Sequence, residues 1–175
     1  GARDLRRVVD AVVRARELGK PVLMGIGGHV LKCGLQPVLR SLLEAGAITA
    51  FAMNGSCSVH DYEISLVGAT SEDVGAVLHE GHFGMAEETG RDLNRALREG
   101  VAQGLGYGAA VGRFINANAN PHREWSLLAL CAERGAPATV HAAIGDNQAS
   151  LLASLQEPER ELAAVRAARH HNVRE

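Results

Sequence analysis

The sequence predicts a three-layer, Rossmann-like α/β domain with a mainly parallel sheet, on three observations. Pro21-Val22-Leu23-Met24-Gly25-Ile26-Gly27-Gly28-His29 and Ala47 to Met53 are short apolar runs that end in small and then polar residues, the form of buried parallel strands. A helix-forming segment lies between them, which makes residues 21–53 a βαβ unit with a right-handed crossover. A third run, Ala138 to Ile144, follows another helix and the turn Arg134-Gly135-Ala136-Pro137.

Each element has its own signal. Leu5, Val8, Val9, Val12, Val13 and Leu18 recur at helical spacing, and Gly19-Lys20-Pro21 stops that helix before the first strand. The second helix begins near Gly34, with Leu35, Val38, Leu39, Leu42 and Leu43 as its apolar stripe, and ends at Gly46. The strand 47–53 leads into a polar loop, Asn54 to His60, and Asp61 starts a helix that breaks at Gly68. Thr70 or Ser71 caps a short helix carrying Val74, Val77 and Leu78. A longer helix is expected from Met85 to Gln103 with Leu93, Leu97 and Val101 inward. The glycine-rich stretch 104–112 fits no element by pattern. A helix is expected over Trp125 to Glu133. Residues 1–146 are read as the α/β domain and 147–175 as a helical tail interrupted at Pro158.

At 175 residues, with 46% hydrophobic and only 3% aromatic positions, the chain builds an aliphatic core and buries roughly 70% of its unfolded surface. A net charge of −2 supplies no electrostatic reason for a nucleic-acid or anionic-membrane partner. Cys33, Cys57 and Cys131 have no CxxC spacing, which argues against a disulfide framework and a zinc site and for a reducing, cytoplasmic setting. No apolar stretch reaches the length of a membrane span, and the amino end lacks a signal-peptide core.

The two strand ends carry the candidate chemistry. Gly25, Gly27 and Gly28 do not make a GxGxxG fingerprint, yet glycine there lets the backbone approach a phosphate or ring at the start of the following helix. The alternative is a tight turn with no ligand, and the matching polar loop at 54–61 weighs against it. His60 and Asp61 can form a proton-handling pair, or Asp61 can simply cap a helix. His79-Glu80-Gly81-His82 has i, i+3 spacing across a glycine, not the i, i+4 spacing a zinc-hydrolase helix needs, so no metal is expected. The Gly106-Tyr107-Gly108 segment follows a helix, not a strand, and reads as close packing. Cys33 reads as a small buried thiol.

In order and with their connecting helix, the two loops resemble those of the deoxyhypusine synthase family. Gly28-His29-Val30-Leu31-Lys32-Cys33-Gly34 stands where that family has a polar turn, and keeps its glycine. Asn54-Gly55-Ser56-Cys57-Ser58-Val59-His60-Asp61-Tyr62 keeps the final acid and aromatic of the second family loop. Ser126 to Asp146 is similar to the family's helix and strand leading to an acidic cofactor loop. The likeness spans residues 21–146 and is nearest the bacterial deoxyhypusine-synthase-like branch. It implies an NAD-dependent transferase acting on a polyamine such as spermidine or a related amine. NAD would be held by Gly28, His29, Asn54, Gly55, Ser56 and Asp146, with His60 and Asp61 at the reaction centre. It also implies a homo-oligomer, a tetramer in the family. Three departures stand beside it: Val59 and His60 replace an acidic pair, neither Lys20 nor Lys32 matches the catalytic lysine, and the second half of the sheet is missing. A non-catalytic truncated remnant of that family is the alternative, and a metal hydrolase using His79, His82 and another histidine a third reading.

Overall fold

A computed structural model describes residues 1–70 and 86–141. The first helix, α1 (Ala2–Glu17), precedes strand β1 (Leu23–Ile26), a short helix α2 (Gly28–Lys32) and α3 (Gln36–Glu44). Strand β2 (Ala50–Asn54) runs directly into α4 (Gly55–Val67). Then follow α5 (Glu87–Ala102), α6 (Tyr107–Ala117), a 3-10 turn at Arg123–Trp125, α7 (Leu127–Arg134) and β3 (Ala138–His141). This is an α/β fold. The three strands are parallel in the order β1-β2-β3, with Ile26 beside Met53 and Met53 beside Val140.

The register sorts the sheet into two unlike faces. Met24, Ile26, Phe51, Met53, Ala138 and Val140 share one face, and Phe51 and Met53 are fully buried there with Leu31, Tyr62, Leu93, Val111, Ile115 and Leu128. Leu23, Gly25, Ala50, Ala52 and Thr139 share the other; Leu23 is 65% exposed and its neighbours are exposed or half-buried. Among the described residues the helices thus bury one face of the sheet. The small side chains of the second face offer little area to bury in any case.

Local chemistry explains where elements start. Asn54 ends β2 and caps α4 with its side chain, whose Oδ1 accepts from the Cys57 N–H at 3.2 Å. Gly55 to His60, expected as loop, are therefore the first turns of a helix. The glycines of 104–112 support α6: a Cβ on Gly108 would stand 2.1 Å from the Ala138 carbonyl oxygen, and one on Gly112 equally close to that of Leu128. They let α6 lie directly against β3 and α7. Val101, expected inward, is 75% exposed, and Trp125 belongs to the 3-10 turn instead of starting α7. The short helix after Thr70, the His79/His82 pair, Ala142 to Ile144, Asp146 and the tail lie outside the described residues.

Candidate functional site

The carboxyl edge of the sheet brings β1 and β2 together as the sequence implied. Gly27 lies near the Asn54 amide, and a Cβ on Gly28 would fall 2.4 Å from Ser56 Oγ and 2.9 Å from His60 Cδ2. Position 28 tolerates no side chain because two groups of α4 occupy that space. Asn54 pairs in register with His141 at the end of β3, so glycine, asparagine and histidine follow one another across the edge. Ser56 Oγ donates to Asn54 Oδ1 at 2.9 Å, and Gly55 and Ser56 are buried in the first turn of α4. His29 stands apart, exposed on α2.

His60 is held by a relay. Its Nδ1 lies 2.5 Å from Thr70 Oγ1, and Thr70 donates its own proton to Glu63 Oε2 at 2.6 Å. With the hydroxyl proton committed to the carboxylate, Nδ1–H is the donor to Thr70, which in the neutral ring leaves Nε2 as the acceptor nitrogen. Glu63 Oε2 is also 3.5 Å from Nδ1, and Thr89 donates to the other carboxylate oxygen at 3.5 Å. The His60 side chain is 12% exposed, shielded but open. A carboxylate thus orients the imidazole through a hydroxyl, an arrangement that suits proton transfer at the ring.

Asp61 does something else. It is fully buried, and its carboxylate accepts from the Leu127 N–H at 2.8 Å, the Leu128 N–H at 3.1 Å and Ser126 Oγ at 2.5 Å. It thus anchors the amino terminus of α7, where backbone donors lack partners and the helix dipole favours an anion. Burial pushes its pKa up to about 6 against the opposing pull of these hydrogen bonds. The expected His60–Asp61 pair is not formed, because adjacent helical residues point to different sides. Nearby, Cys131 is pushed up to about 12, first by burial and then by the Asp61 charge, and is a packing thiol.

Two further polar contacts frame α4. Tyr107 places its hydroxyl 3.0 Å from Ser58 Oγ, which donates to the Gly55 carbonyl at 2.7 Å. Tyr62 donates to Asp92 at 2.6 Å, and burial together with that carboxylate holds the phenol well above its usual range. Asp92 is held low, chiefly by its hydrogen bond from Arg91. Glu63 is the residue that the sequence reading missed most plainly. It lies three positions after His60, on the same face of a helix, a spacing visible once α4 is started at Gly55. Among the described residues no three His, Cys, Asp or Glu side chains gather as a metal site, and no helix is long and apolar enough to cross a membrane.

No family model matches the chain, and no curated protein matches it. Among solved structures, the fold is similar to that of ArgZ, an arginine dihydrolase from the ornithine-ammonia cycle in cyanobacteria, in its apo form. That match has a TM-score of 0.56 and 15% identity over 93% of this chain and 20% of that one. It is also similar to a conserved putative LOR/SDH protein from Methanococcus maripaludis S2, with a TM-score of 0.52 and 16% identity over 83% of this chain and 40% of that one. The chain spans well under half the length of either. These likenesses correct the resemblance to deoxyhypusine synthase, and with it the NAD-dependent transferase, the spermidine substrate and the remnant of that family. The residues that carried the resemblance have local duties that account for them: Asn54 caps α4, Gly28 admits Ser56 and His60, and Asp61 anchors α7. What the comparisons establish is the fold.

Proposed function

We propose that this chain is a Rossmann-like small-molecule-binding module whose site is the carboxyl edge of β1 and β2, with His60 as a proton acceptor. The observation that carries the reading is the Glu63–Thr70–His60 relay, which leaves Nε2 as the acceptor nitrogen of a neutral ring whose Cδ2 edge packs against Gly28. Gly27, Gly28, Asn54, Ser56 and His141 are the groups nearest to hold a ligand, and Asp61 is a positioning residue that fixes α4 against α7. The ligand class we favour is a small polar metabolite bearing an amine, since Glu63 puts a carboxylate next to His60. Open parallel sheets bind ligands at this edge. A homo-oligomer belongs to the reading because the apolar side of α1 is exposed, and a cytoplasmic setting because Cys33, Cys57 and Cys131 are free thiols.

Histidine side-chain NMR tests the proposal. The His60 ring is expected as the Nδ1–H tautomer in the free protein. Its Nε2 resonance should then move on titration with at least one of arginine, ornithine and NAD, and not in Gly28→Val, whose side chain would crowd the site. The Nε2–H tautomer, or a resonance unmoved by the whole panel, would overturn the reading.

A further inference from the structure

A cavity of about 330 Å3 opens where α2, α3, the carboxyl end of α4 and the 3-10 turn meet; Leu31, Lys32, Gln36, Ile64, Thr70 and Trp125 are among its lining residues. Gln36 is the unusual member. It is only 5% exposed, yet its amide has no hydrogen-bond partner among the described residues and lines the cavity. Unlike Asn116 Oδ1, the amide head is not sealed from solvent, so it keeps a free donor and a free acceptor for a polar group entering the cavity. Lys32 borders the same space and makes no ion pair with any described residue. α3 begins there with no side-chain cap, and since Pro37 carries no N–H, the Gln36 and Val38 N–H groups supply the positive potential of its first turn.

We infer that this cavity binds a small organic oxyanion, a carboxylate or phosphate monoester carrying a flat apolar body. Lys32 and the amino end of α3 take the charge, and the Gln36 amide takes a hydrogen bond from or to the polar head. Leu31, Ile64 and the Trp125 ring cover the apolar body. The volume is at the small end of ligand cavities, which suits a single ring with one anionic substituent. Thr70 forms part of the wall but needs nothing from the ligand, since its hydroxyl is already engaged by His60 and Glu63.

Trp125 is the single tryptophan of the chain, so its emission and its indole N–H resonance report on this cavity directly. The full chain is titrated with benzoate, phenyl phosphate and the neutral analogue benzamide. Benzoate, phenyl phosphate or both should shift the Trp125 signals at millimolar concentration while benzamide does not, and the stronger of the two identifies the headgroup. Lys32→Met and Gln36→Leu should each weaken the response about tenfold. No response to either anion, an equal response to benzamide, or binding within about twofold of the parent in both variants would overturn the inference. Should Gln36→Leu fail to fold, the contrast between benzoate and benzamide in the unaltered chain still decides. The Trp125 signals and the His60 Nε2 resonance are separate readouts in the same unaltered chain, which separates failure here from failure of the strand-end reading.

Discussion

α1 places Leu5, Val8, Val9 and Val13 along one side and Arg3, Arg6, Arg7 and Arg14 around the rest, and none of its residues is buried. α4 has far less contrast between its sides, yet Cys57, Ser58, Asp61, Tyr62 and Ser65 are almost completely inaccessible. A strongly two-sided helix advertises one apolar neighbour, and within the described residues α1 lacks it. α4 has neighbours nearly all round, from α2, α5, α6, α7, β2 and β3, so small and hydroxylic residues serve it better than a stripe of leucines. Its polar side chains then need internal partners, and they have them: Ser58 with Gly55, Ser65 with the Tyr62 carbonyl and Asn120, and Asp61 with α7. Sequence amphipathicity thus measures how one-sided a helix's surroundings are, not how deeply it is buried.

Substitutions can press on this contrast from its strongest point downward. Asp61→Ala removes the acceptor of three hydrogen bonds and strands the Leu127 and Leu128 N–H groups, so urea unfolding should report a loss of about 3–4 kcal/mol. The same carboxylate sets a pH dependence. Its native pKa of about 6 lies above the ordinary 3.8, so the folded state binds the proton more tightly than the unfolded one. Its contribution is therefore most favourable below about pH 4 and is lost as pH rises to about 6, by up to about 3 kcal/mol, with no further change above. Asp61→Asn should abolish that slope in a series of melts across the range. Gly108→Ala sets a methyl against the Ala138 carbonyl oxygen and should lower stability by about 2 kcal/mol as α6 is pushed off β3. At the other extreme, Val9→Ser on α1 should change stability by less than about 0.5 kcal/mol in a monomer. A larger loss, accompanied by a shift to smaller species in sedimentation velocity, would mean that another copy covers this face.

Much of the scaffold was readable because hydrophobic periodicity reports it. α1, α3 and α5 were found within a few residues, and all three strands appeared where apolar runs ended in glycine or polar residues. α4 began too late because Asn, Gly and Ser favour both turns and helix starts, and only the cap from Asn54 to the Cys57 N–H separates the two. α6 was hidden because its glycines serve close approach to β3 and α7, a reason that has no local signature. At the site, the adjacency of Gly28 and His60 followed from parallel strand order. The true partner of Asp61 did not, since it is sixty-six positions away in sequence at Leu127. Gln36 and Trp125 likewise meet through tertiary packing of segments that show no shared pattern.

Asn54 also removes any slack between the sheet and its central helix. It is the last residue of β2 and the cap of α4, with no connecting residue in between. One residue inserted after it would rotate the whole of α4 by about 100°, carrying His60 away from Gly28 and Asp61 away from α7 in a single step. The junction is thus a fixed gear tooth, whereas the connection from Gln103 to Gly106 can lengthen without altering which residues meet.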